Sequence, residues 1–300
     1  GGKKKELHTE AETKRVLTAI EKRPFTVTEV KEGEKTRHAA PPFTTSSLQQ
    51  EASRRLGFTT KRTMMIAQQL YEGVELGKKG ATGLISYIRT DSVRVAKEAQ
   101  ETALAHIGER FGKKYLPEKP NVYKGRTNAQ DAHEAIRPTY IENEPAAVKE
   151  FLSSDQFRLY KLIYERFLAS QMKDALFATS TVVLDCNGMT FRANGTRTLF
   201  DGFTAVYTEG KDEVQEKEVA LPELKNGQPC TAESIDSQQR FTQPPPRFTE
   251  ATLVKTLEEK GIGRPSTYSP TISTIVDRGY ISREKKQLIP TELGQVVNKL

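Results

Sequence analysis

The sequence predicts a multidomain α+β fold: a discontinuous antiparallel β domain, a helical block inserted into it, and a partial winged-helix domain at the end. Three observations predict it. A strand-like alternation, Phe25-Thr26-Val27-Thr28-Glu29-Val30, precedes a mostly helical stretch from Thr44 to about Met172. After Met172 the period switches from helical to strand-like, with turn dipeptides between the segments. From residue 247 two helical runs flank a Gly-rich turn and lead into a basic hairpin. Strands on both sides of one helical block are most simply two pieces of one domain. The predicted boundaries are 1–22 for a leading helix, 23–44 with 173–243 for the β domain, 45–172 for the inserted block, and 244–300 for the winged-helix part.

Residues 7–22 form a helix with Val16, Leu17 and Ile20 on one face, and Pro41-Pro42 ends the first section. Ser46 or Ser47 caps the next helix, which bears Leu48, Ala52 and Leu56 and stops at Gly57. Lys61 to Tyr71 is a further helix, its Met64-Met65-Ile66 run assigned to the core. Gly73 to Gly83 reads as a connection, and Leu84 to Ile88 as a short buried strand. Ser92 opens a helical run from Val93 to about Phe111, with Gly112 as its stop. His133 and Arg137 lie four apart on a helical face closed by Pro138. Lys149 to Met172 is a long helix or a helix pair with Leu159, Leu162, Ile163 and Phe167 as its stripe.

Thr179 to Asp185, Thr190 to Ala193 and Phe200 to Thr208 are strands, with turns at Asn187-Gly188, Asn194-Gly195 and Asp201-Gly202. Val214 to Ala220 and Cys230 to Ile235 continue them until Pro244-Pro245-Pro246. Glu250 to Lys260 is a helix. Ser269 caps a second with Pro270 at its first position, and Gly279 ends it. Tyr280 to Ile289 is a hairpin with Lys285 and Lys286 near its tip, and Thr291 starts a third helix.

The 300 residues suffice for two or more domains, and the net charge of +7 suits a polyanionic partner. Cys186 and Cys230 lie far apart without Cys-x-x-Cys spacing, which argues against a zinc ribbon or a disulfide framework and fits a reducing compartment. No apolar run reaches membrane-spanning length, and no signal peptide is visible. Gly1-Gly2 before a lysine run, and a helical pattern still running at Leu300, are expected of an excised piece of a longer chain.

The chemistry centres on Tyr87. It sits at a predicted strand end beside a predicted helix N-terminus, where free N–H groups favour an anion. Arg89, two residues on, shares its face. A phenol has a pKa of about 10. A guanidinium ~4 Å away favours a phenolate or a phosphate by up to ~4 kcal/mol before solvent losses. That pair suits a tyrosine nucleophile attacking a phosphodiester. The bland reading is one of ten tyrosines packed at a strand end with its hydroxyl at the surface. His133 and Arg137 either donate to a phosphate or form a solvated face balanced by Glu134. Arg264, Ser266 and Thr267, in a Gly/Pro-rich turn, either meet a DNA backbone or simply cap a helix. Arg278 is a cation well placed at a helix C-terminus. The lysines at 3–5 and 285–286 read as solvated faces or non-specific phosphate contacts.

Three segments in order then carry a family resemblance. Ser86-Tyr87-Ile88-Arg89-Thr90-Asp91-Ser92 resembles the active-site motif of the type IA DNA topoisomerases. Asp131-Ala132-His133-Glu134-Ala135-Ile136-Arg137-Pro138 resembles that family's His-containing helix, and Gly261-Ile262-Gly263-Arg264-Pro265-Ser266-Thr267-Tyr268 its Gly-Arg-Pro-Ser-Thr signature. Ile88 after the tyrosine is closer to the bacterial DNA-relaxing branch than to the decatenating one.

The resemblance implies that Tyr87 is the nucleophile of a 5′-phosphotyrosine intermediate. It further implies that Arg89 and His133 hold the scissile phosphate, that Arg264, Thr267 and Arg278 place a single strand of DNA, and that Arg137 and Asp131 are structural. It implies that residues 23–44 and 173–243 form a β arch carrying a winged-helix-like tyrosine domain. The expected activity is ATP-independent relaxation of negative supercoils, in keeping with the lack of a Gly-x-x-x-x-Gly-Lys-Ser/Thr loop. In the family, magnesium is held by an acidic cluster of an N-terminal domain. No Asp-x-Asp-x-Glu constellation occurs here, so no metal is expected on this chain and relaxation by it alone is not expected. The expected partners are DNA and the missing domains of the same polypeptide, with no membrane, in the bacterial cytoplasm at the nucleoid. The oligomeric state stays open. Two alternatives stand: a non-enzymatic winged-helix module binding single-stranded DNA, and a tyrosine recombinase joining the 3′ phosphate, disfavoured because its tyrosine lies on a late helix.

Overall fold

The computed structural model describes residues 6–125, 133–210 and 219–300. Helix α1 (Glu10–Ile20) starts on a reciprocal cap. The Thr9 hydroxyl accepts from the Glu12 N–H, and the Glu12 carboxylate accepts from the Thr9 N–H. Strand β1 (Phe25–Arg37) follows, then α2 (Thr45–Glu51), which runs on as a π turn to Leu56 and stops at Gly57. Next come α3 (Thr60–Glu72), a small hairpin of β2 (Val74–Glu75) and β3 (Ala81–Thr82), α4 (Lys97–Arg110), α5 (Pro145–Val148) and α6 (Ser154–Ser170). The last elements are β4 (Ala175–Cys186), β5 (Met189–Phe200), β6 (Pro229–Cys230), α7 (Glu250–Glu259), α8 (Tyr268–Asp277), β7 (Ile281–Glu284), β8 (Gln287–Pro290) and α9 (Glu292–Val297). The fold is mixed α and β, with antiparallel pairing in its sheets.

The chain divides into two compact units. The first comprises residues 1–37, 176–200 and 216–245. It holds a four-stranded sheet of order β5-β4-β1-β6. Strands β4 and β5 join through Asn187-Gly188, both at positive φ (53° and 76°), the two-residue turn whose twist matches its strands. Asn194-Gly195, expected as a turn, lies inside β5 instead. A Cβ on Gly195 would stand 2.7 Å from Ser180 Oγ and 2.8 Å from Leu221 Cγ, so this glycine serves close packing.

The second unit comprises residues 38–175, 201–215 and 246–300. Its core forms around α6, whose Leu159, Tyr160, Ile163 and Phe167 are buried together with Ile66, Ala67 and Leu70 of α3 and with Phe43. Helices α7 and α8 have a small core of Val254, Tyr268 and Ile272. They dock on α2 and α3 through polar groups. The Ser46 hydroxyl donates to the Glu258 carboxylate (2.8 Å). The Thr60 N–H, in the first turn of α3, donates to Glu250 Oε2 (2.6 Å), while Glu250 Oε1 accepts from Arg283 of β7.

A buried charge ties residues 38–43 and 201–210 to α6. Arg166, 4 % exposed, donates to the Pro41 carbonyl (2.7 Å), the Tyr207 hydroxyl (3.2 Å) and Glu209 (2.9 Å), and lies against the Phe43 and Tyr207 rings. The Tyr207 hydroxyl donates in turn to buried Glu51 (2.7 Å). The Nε and Nη1 donors of this guanidinium thus have oxygen partners and its plane lies against two rings, the compensation a buried charge requires.

Several expectations are corrected. Residues 133–138 are extended, because Ile136 pairs with Phe43 and Pro138 with Ile85, and a residue before proline is driven from helical geometry. The helix expected from Val93 begins at Lys97, its preceding backbone taken up by local bonds to the Thr90 and Ser92 hydroxyls. Thr44 caps α2, with Ser47 as its reciprocal partner. Thr267 takes the N-cap position of α8, leaving Pro270 as its third residue. Residues 202–205 form a 3₁₀ turn where a strand was expected, and only Pro229–Cys230 of the last expected strand is paired. Met65 is exposed, leaving Ile66 as the core residue of its run. Asp131, the lysines at 3–5 and most of 214–220 lie outside the described residues.

Arg166→Ala leaves Glu209, Tyr207 and the Pro41 carbonyl without their donor, and is expected to cost about 3–5 kcal/mol. Urea unfolding of wild type and variant measures it.

Candidate active site

Ser86 joins two of the motifs directly. Its N–H donates to the Arg137 carbonyl (2.9 Å), its hydroxyl donates to the Ala135 carbonyl (2.7 Å), and that hydroxyl accepts the Arg137 N–H (3.0 Å). On either side, the Leu84 N–H donates to the Leu70 carbonyl at the end of α3, and the Thr139 N–H to the Leu84 carbonyl. Three residues further on, Thr45 fixes the segment again. Its hydroxyl donates to the Ile88 carbonyl (2.7 Å) and accepts the Thr90 N–H (2.9 Å). Residues 84–90 are not a strand beyond the bridge at Ile85, but Ile88 and Thr90 are buried while Tyr87 and Arg89 both face outward.

Tyr87 is 41 % exposed and stands between two rings. Tyr71 meets it edge-on at 5.6 Å between centroids, and His133 lies tilted at 5.7 Å. Among the described residues, none makes a hydrogen bond to the Tyr87 hydroxyl. Other tyrosines are buried or hydrogen-bonded. Burial pushes the phenols of Tyr123, Tyr160, Tyr164 and Tyr207 well up, and the bond to Asp201 raises that of Tyr115, so all five are held in the neutral form.

A cleft of about 410 Å³ opens beside Tyr87. Tyr87 and Arg89 form one wall; Lys61, Met65 and Gln68 of α3 form another, spaced so that one helical face looks inward. Pro265, Ser266 and Ser269 close it from the third motif and the first turn of α8. The helix N-terminus facing this space therefore belongs to α8, not to the helix after Ser92.

The structure brings Tyr87, Arg89 and His133 into one neighbourhood. Arg264 and Thr267 stand next to the cleft lining rather than in it. The Thr267 hydroxyl accepts the Arg264 N–H (2.8 Å), and the Arg264 guanidinium donates to the Gly263 carbonyl while remaining exposed. Arg278 ends α8, about 15 Å along the axis from its first turn. Arg137 is engaged by Glu134 (2.7 Å) and the Pro138 carbonyl, away from any phosphate role. Ser86, Thr45 and Tyr71 escaped the sequence reading. Only Ser86 carried a signal, as the small polar residue beside the tyrosine. Among the described residues no group of three or more His, Cys, Asp or Glu is arranged to hold a metal ion, and no helix is long and apolar enough to cross a membrane.

The chain matches the DNA topoisomerase family model over residues 1–300. It is similar to full-length topoisomerase I from Thermotoga maritima, with 38 % sequence identity and a TM-score of 0.84, over 100 % of this chain and 48 % of that one. It thus spans about half the length of the structure it matches.

Ser86→Ala removes a donor from the Ala135 carbonyl and an acceptor from the Arg137 N–H, and is expected to cost about 1–3 kcal/mol in urea unfolding. A variant as stable as wild type would show that the two motifs are held together by other contacts.

Proposed function

Since the chain belongs to the family of bacterial type IA DNA topoisomerases, we propose that it carries the nucleophile of an ATP-independent strand-passing enzyme. Residues 23–44 and 173–243 serve as the β arch, 45–172 as the tyrosine domain, and 244–300 as the start of a winged-helix domain beside the single-strand path. The observation that carries this reading is the placing of Tyr87 against His133, with Arg89 in the same cleft as Ser266.

The Tyr87 oxygen attacks the phosphorus of a DNA phosphodiester. A bond to the 5′ phosphate forms as the bond to the 3′ oxygen breaks. The phenol gives up one proton and the departing 3′ oxygen takes one. One phosphoester replaces another, so the reverse attack reseals the strand without an energy source. Arg89 and His133 offset the charge that builds on the phosphate oxygens. Arg264, Thr267 and Arg278 contact the strand backbone and set its register. Magnesium does not fit these residues, since no carboxylate cluster is present among them, and none is assigned to it. The working place is the cytoplasm at the nucleoid, and the partners are DNA and the other domains of the enzyme.

Two outcomes test this. In the full-length enzyme carrying this sequence, Tyr87→Phe abolishes covalently trapped DNA. The wild-type adduct keeps a 3′-end label and releases a 5′-end label with a free 3′ hydroxyl; the opposite polarity would point to a recombinase, and an unaffected adduct to another nucleophile. Residues 1–300 alone are expected to show no supercoil relaxation in a gel assay with magnesium, and relaxation by them would overturn that part of the reading.

A further inference from the structure

A second recess is lined by Tyr71, whose ring meets Tyr87 of the cleft. It is open, about 660 Å³, and its lining includes Tyr71, Lys79, Ser86, Tyr140, Glu142 and Asn143. Tyr71 is shared in effect between the two spaces: it lines this recess and meets the Tyr87 ring edge-on. Ser86, the neighbour of Tyr87, lines it as well. The recess is therefore continuous with the reacting centre along the chain.

Its composition is specific in kind. Tyr140 is 52 % exposed at this recess, and Tyr71, packed edge-on against Tyr87, is still 39 % exposed. Burial would favour both, so their exposure needs an occupant or has a cost. Lys79, on the turn between β2 and β3, is held by the Asn143 side chain (Nζ to Oδ1, 3.0 Å), and Asn143 is itself buried and accepts the Tyr160 hydroxyl at its carbonyl (2.6 Å). The cation is thus fixed at the rim rather than free in solvent. Glu142 adds a carboxylate, which repels a phosphate but accepts from the N–H edge of a base. Bare aromatic rings, one anchored cation and acceptors are the combination that takes an unpaired nucleotide, ring on ring.

We propose that this recess is a nucleotide subsite, which stacks on Tyr140 one unpaired base of the strand joined to the scissile phosphate, with Lys79 on its backbone. The proposal rests on the reading of Tyr87 as the reacting group on single-stranded DNA. Tyr140 and Lys79 act as positioning residues: neither touches the reacting atoms.

The test is binding of fluorescein-labelled single-stranded oligonucleotides to residues 1–300, followed by anisotropy, with one abasic position moved along the strand. Tyr140 is on the surface, so Tyr140→Ala keeps the fold, and a circular-dichroism melt checks it. Wild type is expected to lose about five- to tenfold in affinity when one particular base is missing. Tyr140→Ala is expected to lose a similar factor on the intact strand and nothing further when that base is absent. Lys79→Gln, which removes the charge while keeping an N–H donor, is expected to weaken binding and flatten its salt dependence. Tyr140→Ala binding the intact strand as wild type does, or losing equally at every abasic position, overturns the subsite alone. Wild type binding no oligonucleotide overturns both the subsite and the DNA reading beneath it.

Discussion

The backbone pairing centred on Ser86 is the constraint from which the site follows. A segment that turns Tyr87 and Arg89 to solvent still has N–H and C=O groups to satisfy, and they are too close to the core to rely on water. The chain solves this from two directions. Ser86 zips residues 84–86 to 135–139, and Thr45 ties residues 88–90 to the start of α2. The first contact brings His133 to Tyr87; the second turns Ile88 inward and so sends Arg89 outward. Two polar side chains, far apart in sequence, thus set the directions of the three candidate site residues.

A different kind of contact joins α7 and α8 to α2 and α3. It uses Ser46 with Glu258 and Thr60 with Glu250, and the nearby buried groups include Gln50 and Thr63. On the same helix as Ser46, Gln49 is fully buried with neither amide atom bonded. An unmet amide of this sort costs about 1–3 kcal/mol. An apolar face here would be more adhesive, because separating it exposes surface that water does not want. Polar groups regain hydrogen bonds to water when parted, so this docking holds the cleft in shape without being costly to undo.

Much of this was readable in the residues. Asn187-Gly188 between alternating runs predicted its hairpin, the patterns of α3 and α7 predicted their helices, and the stripe of α6 predicted its buried face. Tyr87 and Arg89 were expected to share a face of a strand over Leu84 to Ile88; the structure has only an isolated bridge at Ile85 and a bend at 88–89, yet both side chains still line one cleft. Much of what failed had one cause: partners distant in sequence override local pattern. His133 and Arg137 have helical spacing, yet Phe43 and Ile85 claim that backbone as strand. Gly195 has turn chemistry, yet Leu221 needs the space its Cβ would fill. The part of the site supplied by α3 (Lys61, Met65, Gln68 and Tyr71) looked like an ordinary amphipathic face, because a stripe turned to a cleft and one turned to solvent have the same period.

For the nucleophile role proposed for Tyr87, the rings beside it explain how a tyrosine so exposed is held ready. A free phenol at the surface samples several rotamers, and each wrong one removes it from the line of attack. Tyr71 edge-on and His133 tilted restrict the ring from two sides, with contacts of the kind worth roughly 0.5–1.5 kcal/mol each. Both act on carbon, through the ring, and so leave the oxygen without a hydrogen bond among the described residues. A hydrogen bond to that oxygen would orient it as well, but it would have to be broken before the oxygen reached phosphorus. Holding the nucleophile by its ring instead keeps the gain from orientation and avoids that cost.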